Sequence, residues 1–185
     1  MLSKWDRQTN AESRGAVLFA AWLEATDFDT LFSQPWQENF PLSTPDGLAN
    51  PQQAVTTLLA VANKIEQECS AIDVPWGEVV RLNYGNIDLP ANGGPGYLGI
   101  FRTVNFMPRS DSKRFQAFEG DTFVAAIEFS QPVKAMALTT YGNSTQSHSS
   151  SSEQLKLFAQ KQLRPVWLTR QEVEAHSVKQ ENFKP

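Results

Sequence analysis

The chain has 185 residues, which is long enough for one domain with a hydrophobic core. Hydrophobic residues make up 41% of it, a share that suits a folded protein and excludes a largely disordered one. The formal net charge of −4 comes without a basic block, so we expect neither nucleic acid nor an anionic membrane as a partner.

The N-terminal part, residues 1–75, is predicted to be helical and irregular. The run Ala16–Leu23 is apolar on every side, which is typical of a buried helix. It is much shorter than the roughly 20 residues that a membrane-spanning helix needs. Residues 1–7 lack the apolar run and cleavage site of a secretory signal, so we expect no export signal in this chain.

A long connection follows over Asp27–Gly47, and it is rich in aromatic residues and proline. Its large apolar side chains are Phe28, Phe32, Trp36 and Phe40. Solvent-exposed loops rarely carry so many large apolar groups, so we expect this segment to lie against another surface.

The clearest helix of the chain is predicted to start at Asn50-Pro51. Asparagine is a good N-cap and proline fits the first helical turn. Apolar residues then recur at helical spacing, at Val55, Leu58, Leu59, Ala62, Ile65 and Cys69. We expect this stripe to face the core.

Residues 76–142 are predicted to form antiparallel strands. Gly77–Asn83 and Tyr97–Phe106 are the first two, with a glycine-rich loop between them. Thr122–Ser130 alternates apolar and polar residues, and Val133–Thr140 follows after a short break at proline. The short gap predicts an antiparallel hairpin.

The C-terminal part, residues 143–185, is predicted to be a polar loop followed by short helices. Ser152 is placed to cap a helix over Glu153–Lys161. A Thr-x-x-Glu capping box precedes a last helix over Arg170–His176. The three parts together predict one domain-sized α+β fragment.

Residues able to do chemistry are few. A serine hydrolase would have to use Ser144 or Ser147 with His148, which all lie in one serine-rich loop, whereas catalytic triads are assembled from distant segments. His176 is near the end of a predicted helix, where a cationic imidazole has a structural role. Zinc sites usually need three or four ligands, so we predict no metal site.

Two carboxylate pairs are candidates for chemistry: Asp27 with Asp29 near a helix end, and Glu172 with Glu174 in the first turn of the last helix, where acids complement the helix dipole. Cys69 cannot form an internal disulfide and is expected to be a small buried hydrophobic residue rather than a reactive thiol. The residues alone therefore predict no catalytic, cofactor-binding or metal residue.

Short motifs run in one order along most of the chain. They are Trp5-Asp6-Arg7, Trp76-Gly77-Glu78 with Arg81-Leu82, Leu89-Pro90-Ala91-Asn92-Gly93-Gly94, Tyr141-Gly142-Asn143-Ser144 followed by Glu153-Gln154-Leu155, and Leu163 to His176. In this order they resemble the penicillin acylase family of N-terminal nucleophile hydrolases, closest to acyl-homoserine lactone and aculeacin-type acylases. Arg7 departs from the family's W-D-G stretch, and Asn143 and Glu153 are milder departures.

The resemblance implies a four-layered αββα sandwich whose precursor is cut into an α chain and a β chain. The β chain of this family begins with Ser, Thr or Cys, which attacks the amide carbonyl while its own α-amine serves as the base. Only the C-terminal part of the β chain is matched, so no family site residue transfers to a position here. Ser3 lies beside the internal Trp5-Asp6 stretch and not at the family's nucleophile position.

The sequence thus predicts a C-terminal fragment of an amidohydrolase that cleaves an acyl amide, either an acyl-homoserine lactone or a penicillin- or aculeacin-type side chain. We expect it to be inactive alone and without a cofactor. Its expected partner is the remainder of the acylase, meaning the α chain and the N-terminal part of the β chain, or a second copy. The resemblance implies a periplasmic or secreted location. The alternative is a free-standing, non-catalytic binding or structural module.

Overall fold

The computed structural model of the protein describes residues 2–142, 149–178 and 181. Its backbone divides into two compact units, Met1–Gly120 and Asp121–Pro185. Helices and sheets occur together, which confirms the predicted α+β class. The boundaries at residues 75 and 142, drawn from sequence character, stay a prediction.

The sequence predicts two of the four α-helices described in the first unit, the ones that begin at Ala16 and Pro51. The four are α1 (Ala16–Glu24), α2 (Phe28–Leu31), α3 (Pro51–Cys69) and α4 (Trp76–Val79). The first turn of α1 is buried, as its apolar composition predicts. The Oδ1 atom of Asn50 accepts a hydrogen bond from the backbone N–H of Gln53 at 3.1 Å, which confirms the predicted N-cap of α3.

Two sheets belong to the first unit. The strands are β1 (Phe32–Gln34), β2 (Asp46–Leu48), β3 (Val80–Tyr84), β4 (Ile87–Pro90), β5 (Val104–Pro108) and β6 (Phe115–Gly120). β1 and β2 form a small antiparallel pair, and the others form a sheet in the order β4-β3-β6-β5. β3 runs parallel to β6, so this sheet is mixed rather than purely antiparallel.

Two predicted strands begin later than the sequence indicates. The strand predicted over Gly77–Asn83 starts at Val80, because residues 76–79 form a helical turn whose first N–H groups donate to the N-terminal segment. The strand predicted over Tyr97–Phe106 starts at Val104, because a 3-10 turn and the left-handed Gly99 (φ 73°) precede it. β1, β2, β4 and β6 lie outside the strands that the sequence predicts.

The second unit is a three-stranded sheet with two helices. Its elements are β7 (Phe123–Glu128), β8 (Lys134–Thr139), α5 (Ser149–Ala159), β9 (Arg164–Pro165) and α6 (Arg170–His176). The predicted antiparallel hairpin is confirmed, with Phe123 opposite Thr139 and Glu128 opposite Lys134. Leu138, Leu155 and Phe158 are buried and form the core of this unit.

Two details of the C-terminal prediction differ. The helix predicted over Glu153–Lys161 begins earlier and ends at Ala159. The predicted N-cap at Ser152 is wrong, because Ser152 lies within this helix rather than before it. The last helix is confirmed, including its capping box.

Several apolar side chains expected to be covered are exposed. Trp36 is 60% exposed in the aromatic connection, and Leu59 is 61% exposed on the stripe of α3. In the second unit, alternate residues of β7 and the residue after it present one apolar surface. We call this surface the β7 outer face; it consists of Phe123, Ala125, Ile127 and Phe129. Phe123 is 64% exposed and Phe129 is 91% exposed.

Across the described residues, we find no helix with both the length and the apolar character that crossing a membrane requires.

Candidate functional site

The side chain of Trp76 anchors a hydrogen-bonded junction in the first unit. The residue is only 3% exposed, and its indole Nε1–H donates to the carbonyl oxygen of Gly93 at 2.9 Å. Its ring meets Phe106 edge to face, with the ring centroids 6.1 Å apart. Its backbone N–H donates to the carbonyl of Ser13 at 3.0 Å. The buried indole is thus satisfied at its polar edge, which buried tryptophans require.

Asn92 makes the second link of this junction. Its Oδ1 atom accepts a hydrogen bond from the backbone N–H of Ala11 at 2.8 Å, and the residue is 4% exposed. The carbonyl of Ala11 in turn accepts from the N–H of Gly77 at 2.8 Å, and Gly93 donates to Thr9 at 3.0 Å. We call this set the motif junction; it comprises residues 9–13, 76–77 and 92–93. Three segments distant in sequence are tied together there.

The motif junction is a scaffold and not a reactive centre. The hydroxyl of Ser13 donates to Oδ2 of Asp6 at 2.9 Å, but Ser13 is 3% exposed and no substrate reaches it. The other oxygen of Asp6 accepts from the N–H of Gln8 at 2.9 Å. The aspartate of the Trp-Asp-Arg motif therefore holds a turn.

An ion-pair cluster lies beside the junction. Nε of Arg81 donates to Asp88 at 2.7 Å, and its Nη1 donates to the carbonyl of Gly77 at 2.7 Å. Arg109 binds Asp111 through Nε at 2.7 Å and lies 3.5 Å from Asp88. The hydrogen bond from Arg109 is the main reason that the pKa of Asp111 falls to about 2. The cluster contains two cations and two anions, so its formal charges balance.

The serines proposed as nucleophiles find no support in the described residues. Ser3 is exposed in a 3-10 turn over Leu2–Lys4. Ser144, Ser147 and His148 lie outside the described part of the chain, so the serine hydrolase hypothesis stays a prediction.

His176 and the Glu172–Glu174 pair serve the last helix. Nδ1 of His176 donates to the carbonyl of Glu172 at 2.8 Å, and its ring stacks on Trp167 at 3.8 Å. Glu172 accepts from the hydroxyl and N–H of Thr169, and these hydrogen bonds lower the pKa of Glu172. Glu174 forms an ion pair with the arginine four residues earlier at 2.7 Å. These contacts give His176, Glu172 and Glu174 structural roles in the last helix.

The remaining candidate residues, the Asp27–Asp29 pair and Cys69, lie at the ends of helices. Asp27 caps α2, since its oxygens accept from the N–H of Asp29 at 3.2 Å and from the hydroxyl of Thr30 at 3.0 Å. Cys69 is partly exposed and not buried as predicted, because it is the last residue of α3. Partial burial, with the nearby Glu68, raises the pKa of its thiol. Within the described ranges, no group of three or more His, Cys, Asp or Glu could hold a metal ion.

An apolar cavity of about 530 Å³ is a concave feature that the sequence analysis missed. We call it the aromatic cavity; its walls are Leu2, Trp5, Arg7, Phe19, Trp22, Leu48, Ala54, Val55, Leu58 and Leu98. The rings of Trp5 and Phe19 lie 5.1 Å apart, and those of Phe19 and Trp22 lie 5.9 Å apart. Its walls come from residues 2 to 98, so local sequence patterns could not reveal it.

Comparison with known proteins identifies the family. The sequence matches the penicillin amidase family over residues 1–175. The chain belongs to the penicillin amidase family. The family resemblance predicted from the motifs is therefore confirmed. Two of those motifs, the one starting at Trp76 and the one from Leu89 to Gly94, meet in space at the motif junction.

Relatives within the penicillin amidase family are acyl-homoserine lactone acylases named PvdQ. The protein from Pseudomonas fluorescens strain Pf-5 is 26% identical over 183 residues, which cover 94% of this chain and 23% of the relative. The protein from Pseudomonas putida strain KT2440 is 29% identical over 201 residues, covering 94% of this chain and 26% of the relative. The chain thus spans about a quarter of the length of these relatives.

Proposed function

We propose that the chain is the C-terminal part of the β chain of an acyl amide hydrolase. Its family, the acylase names of its relatives and its quarter share of their length support this proposal. The proposed substrate class is an acyl-homoserine lactone or a penicillin- or aculeacin-type side chain. The complete enzyme would work in the periplasm or outside the cell, as the resemblance implies.

The observation that carries the proposal is the β7 outer face. Phe123, Ile127 and Phe129 are between 54% and 91% exposed, although their alternation is that of a strand with one buried side. In a sandwich, two sheets pack about 10 Å apart through such faces. A contiguous exposed apolar surface marks an interaction site. We infer that this face packs on the remainder of the acylase as part of the αββα sandwich.

We also propose that the chain alone is inactive. An amidohydrolase of this kind needs a nucleophile beside a base and donors for the oxyanion. Ser13 is buried against Asp6, and Ser3 is exposed in a surface turn. Catalysis would therefore need residues supplied by the proposed partner.

The test uses the chain alone and together with the polypeptide encoded upstream of Met1. Each sample is incubated with a long-chain acyl-homoserine lactone and with a phenylacetyl amide. We expect hydrolysis only in the combined sample. Hydrolysis by the chain alone that is abolished by Ser3→Ala would overturn the proposal.

A matched pair of variants tests the interface. Ile127→Asp places a charge on the β7 outer face, and Val178→Asp does the same at an exposed aliphatic residue outside the sheet. We expect Ile127→Asp to prevent assembly with the upstream polypeptide, as measured by size-exclusion chromatography. Val178→Asp should assemble normally. Equal assembly of both variants would contradict the assigned face.

The free-standing binding module is the second candidate function. The aromatic cavity favours it, because a module that binds a small apolar ligand needs such a site. A monodisperse monomer with one cooperative melt and no response to the upstream polypeptide would support this candidate over the first.

A further inference from the structure

We propose that the surface covering the β7 outer face carries a carboxylate that pairs with Arg164, and that the same partner segment donates a backbone N–H to Oε1 of Gln154. The partner is the remainder of the acylase, so this inference rests on the proposed function and gives the chemistry of its interface. A second copy of the chain is the alternative occupant that the test separates.

The strand register places Arg164 on the apolar face. Phe123 lies opposite Thr139, and Arg164 lies opposite Ala137. Residues directly opposite each other, and alternate residues along one strand, point to the same side of a sheet. Thr139 and Ala137 are two residues apart on β8. The β7 outer face therefore continues across β8 and ends at Arg164.

The guanidinium of Arg164 brings an uncompensated positive charge to this face. Arg164 is exposed and forms no ion pair with any residue that the structure describes. Glu128 instead lies 3.8 Å from Lys134, on the opposite face of the sheet. Glu174 pairs with Arg170 at 2.7 Å. These two carboxylates of the second unit are therefore engaged elsewhere.

Covering the apolar face would take the charge of Arg164 out of water. A charge that is buried without a hydrogen-bonded partner of opposite sign opposes association strongly. A planar guanidinium binds a carboxylate through two parallel hydrogen bonds, which makes aspartate or glutamate its best partner in a protein. We therefore expect the covering surface to supply that carboxylate.

A cavity of about 270 Å³ beside Arg164 gives the partner segment a place to insert. We call it the Arg164 cavity; its walls include Gln154, Arg164 and Trp167. Its volume is below the roughly 300–1,000 Å³ of small-molecule sites. It therefore suits an inserted side chain with its adjoining backbone better than a free ligand.

Gln154 gives an independent sign that a donor is missing. Its Oε1 atom is buried and has no hydrogen-bond partner among the residues that the structure describes. Buried acceptors are almost always paired, because an unpaired one costs free energy. Every residue except proline carries a backbone N–H, so a segment that brings an acidic side chain to Arg164 also brings a donor for Gln154.

The experiment measures the affinity of the full chain for the upstream polypeptide by titration calorimetry. Arg164→Gln removes the cation from the apolar face, whereas Lys134→Gln removes a cation from the opposite face of the same sheet. We expect Arg164→Gln to weaken assembly at least about tenfold, and Arg164→Glu at least about a hundredfold. Lys134→Gln should stay within about twofold of wild type. The melting temperature of the chain alone should not change in Arg164→Gln, because Arg164 is exposed there.

Charge reversal identifies the partner carboxylate. Each acidic residue of the upstream polypeptide is changed to lysine and tested against the wild-type chain and Arg164→Glu. One of these changes should weaken assembly with the wild type and restore assembly with Arg164→Glu at least about tenfold.

A second pair of variants tests the role of Gln154. Gln154→Leu removes the buried acceptor, and Gln160→Leu makes the same change at an exposed residue after α5. We expect Gln154→Leu to keep or raise the melting temperature of the chain alone, because it removes an unpaired polar atom. It should also weaken assembly about fivefold or more, because the partner's N–H loses its acceptor. Gln160→Leu should not weaken assembly.

The outcomes separate this inference from the proposed function. If the wild type assembles and Arg164→Gln assembles equally well, or if no charge reversal rescues Arg164→Glu, the carboxylate pairing is overturned and the proposed function stands. If the wild type does not bind the upstream polypeptide, both are overturned. A lower melting temperature of Gln154→Leu alone would show that the chain satisfies Oε1 without a partner. Self-association that Arg164→Gln weakens would overturn the acylase remainder as the occupant in favour of a second copy.

Discussion

Gly77→Ala is expected to destabilise the first unit, although alanine normally favours a helix over glycine. A Cβ atom at this position would lie 2.6 Å from Cβ of Pro90 and 2.9 Å from Cβ of Ala11. Overpacking of this kind costs about 1–3 kcal/mol. Moving the backbone to relieve it would stretch the 2.8 Å hydrogen bond from Gly77 to Ala11, worth about 1 kcal/mol. The higher helix propensity of alanine offsets at most about 1 kcal/mol of this cost. The net loss in the free energy of unfolding is therefore about 2 kcal/mol.

The assay is urea unfolding of the full chain, combined with hydrogen exchange of the amides in residues 9–13. Hydrogen exchange of these amides reports the local stability of the motif junction. A local measurement is needed because the chain has two compact units. Gly96→Ala is the matched control, since its nearest atom would be Oγ1 of Thr103 at 3.6 Å and its φ is not positive. We expect the control to be neutral or to stabilise by about 0.4–1 kcal/mol. The reasoning is refuted if the amides of residues 9–13 exchange in Gly77→Ala at the wild-type rate, or if both variants lose the same free energy of unfolding.

Four further predictions concern single side chains. Trp76→Phe leaves the buried carbonyl of Gly93 without its donor, so urea unfolding should show a loss of about 1–3 kcal/mol from that bond. Thr169→Ala should reduce the helix signal of the second unit in circular dichroism, at a cost of about 1 kcal/mol to the cap. The pKa of Glu172 is lowered in the folded protein, so its stabilising effect is present above its unfolded pKa and is lost as the pH falls through the folded pKa. The circular dichroism signal of the wild-type helix should therefore weaken on acidification. Glu172→Gln should remove this pH dependence of the helix signal. Cys69 should react with iodoacetamide at pH 7 more slowly than an unhindered thiol, because its pKa is raised; a faster reaction would contradict the effect of burial.

The elements predicted well are those fixed by neighbouring residues. The cap of α3 depends on Asn50 and Gln53, three residues apart, and the capping box of α6 has the same short span. The β7–β8 hairpin is set by alternation and a short turn. In each case the stabilising contact lies within a few residues, so the sequence pattern contains both partners.

The elements predicted poorly depend on distant partners. Residues 76–79 turn into a helix because their N–H groups donate to carbonyls of residues 11 and 13. β6 is held by a parallel pairing with β3 and an antiparallel pairing with β5, and a local pattern shows neither. The aromatic cavity is likewise assembled from residues 2 to 98. Tertiary contacts override local propensity at such positions.

The Trp-Asp-Arg motif shows why family motifs inform about fold more than about substrate. Asp6 is fixed by contacts to Gln8 and Ser13, and Trp5 by its bond to the carbonyl of Gln8, so these residues maintain a turn that leads into the motif junction. Arg7 is different, since the turn would be less strained with glycine and the side chain lines a cavity.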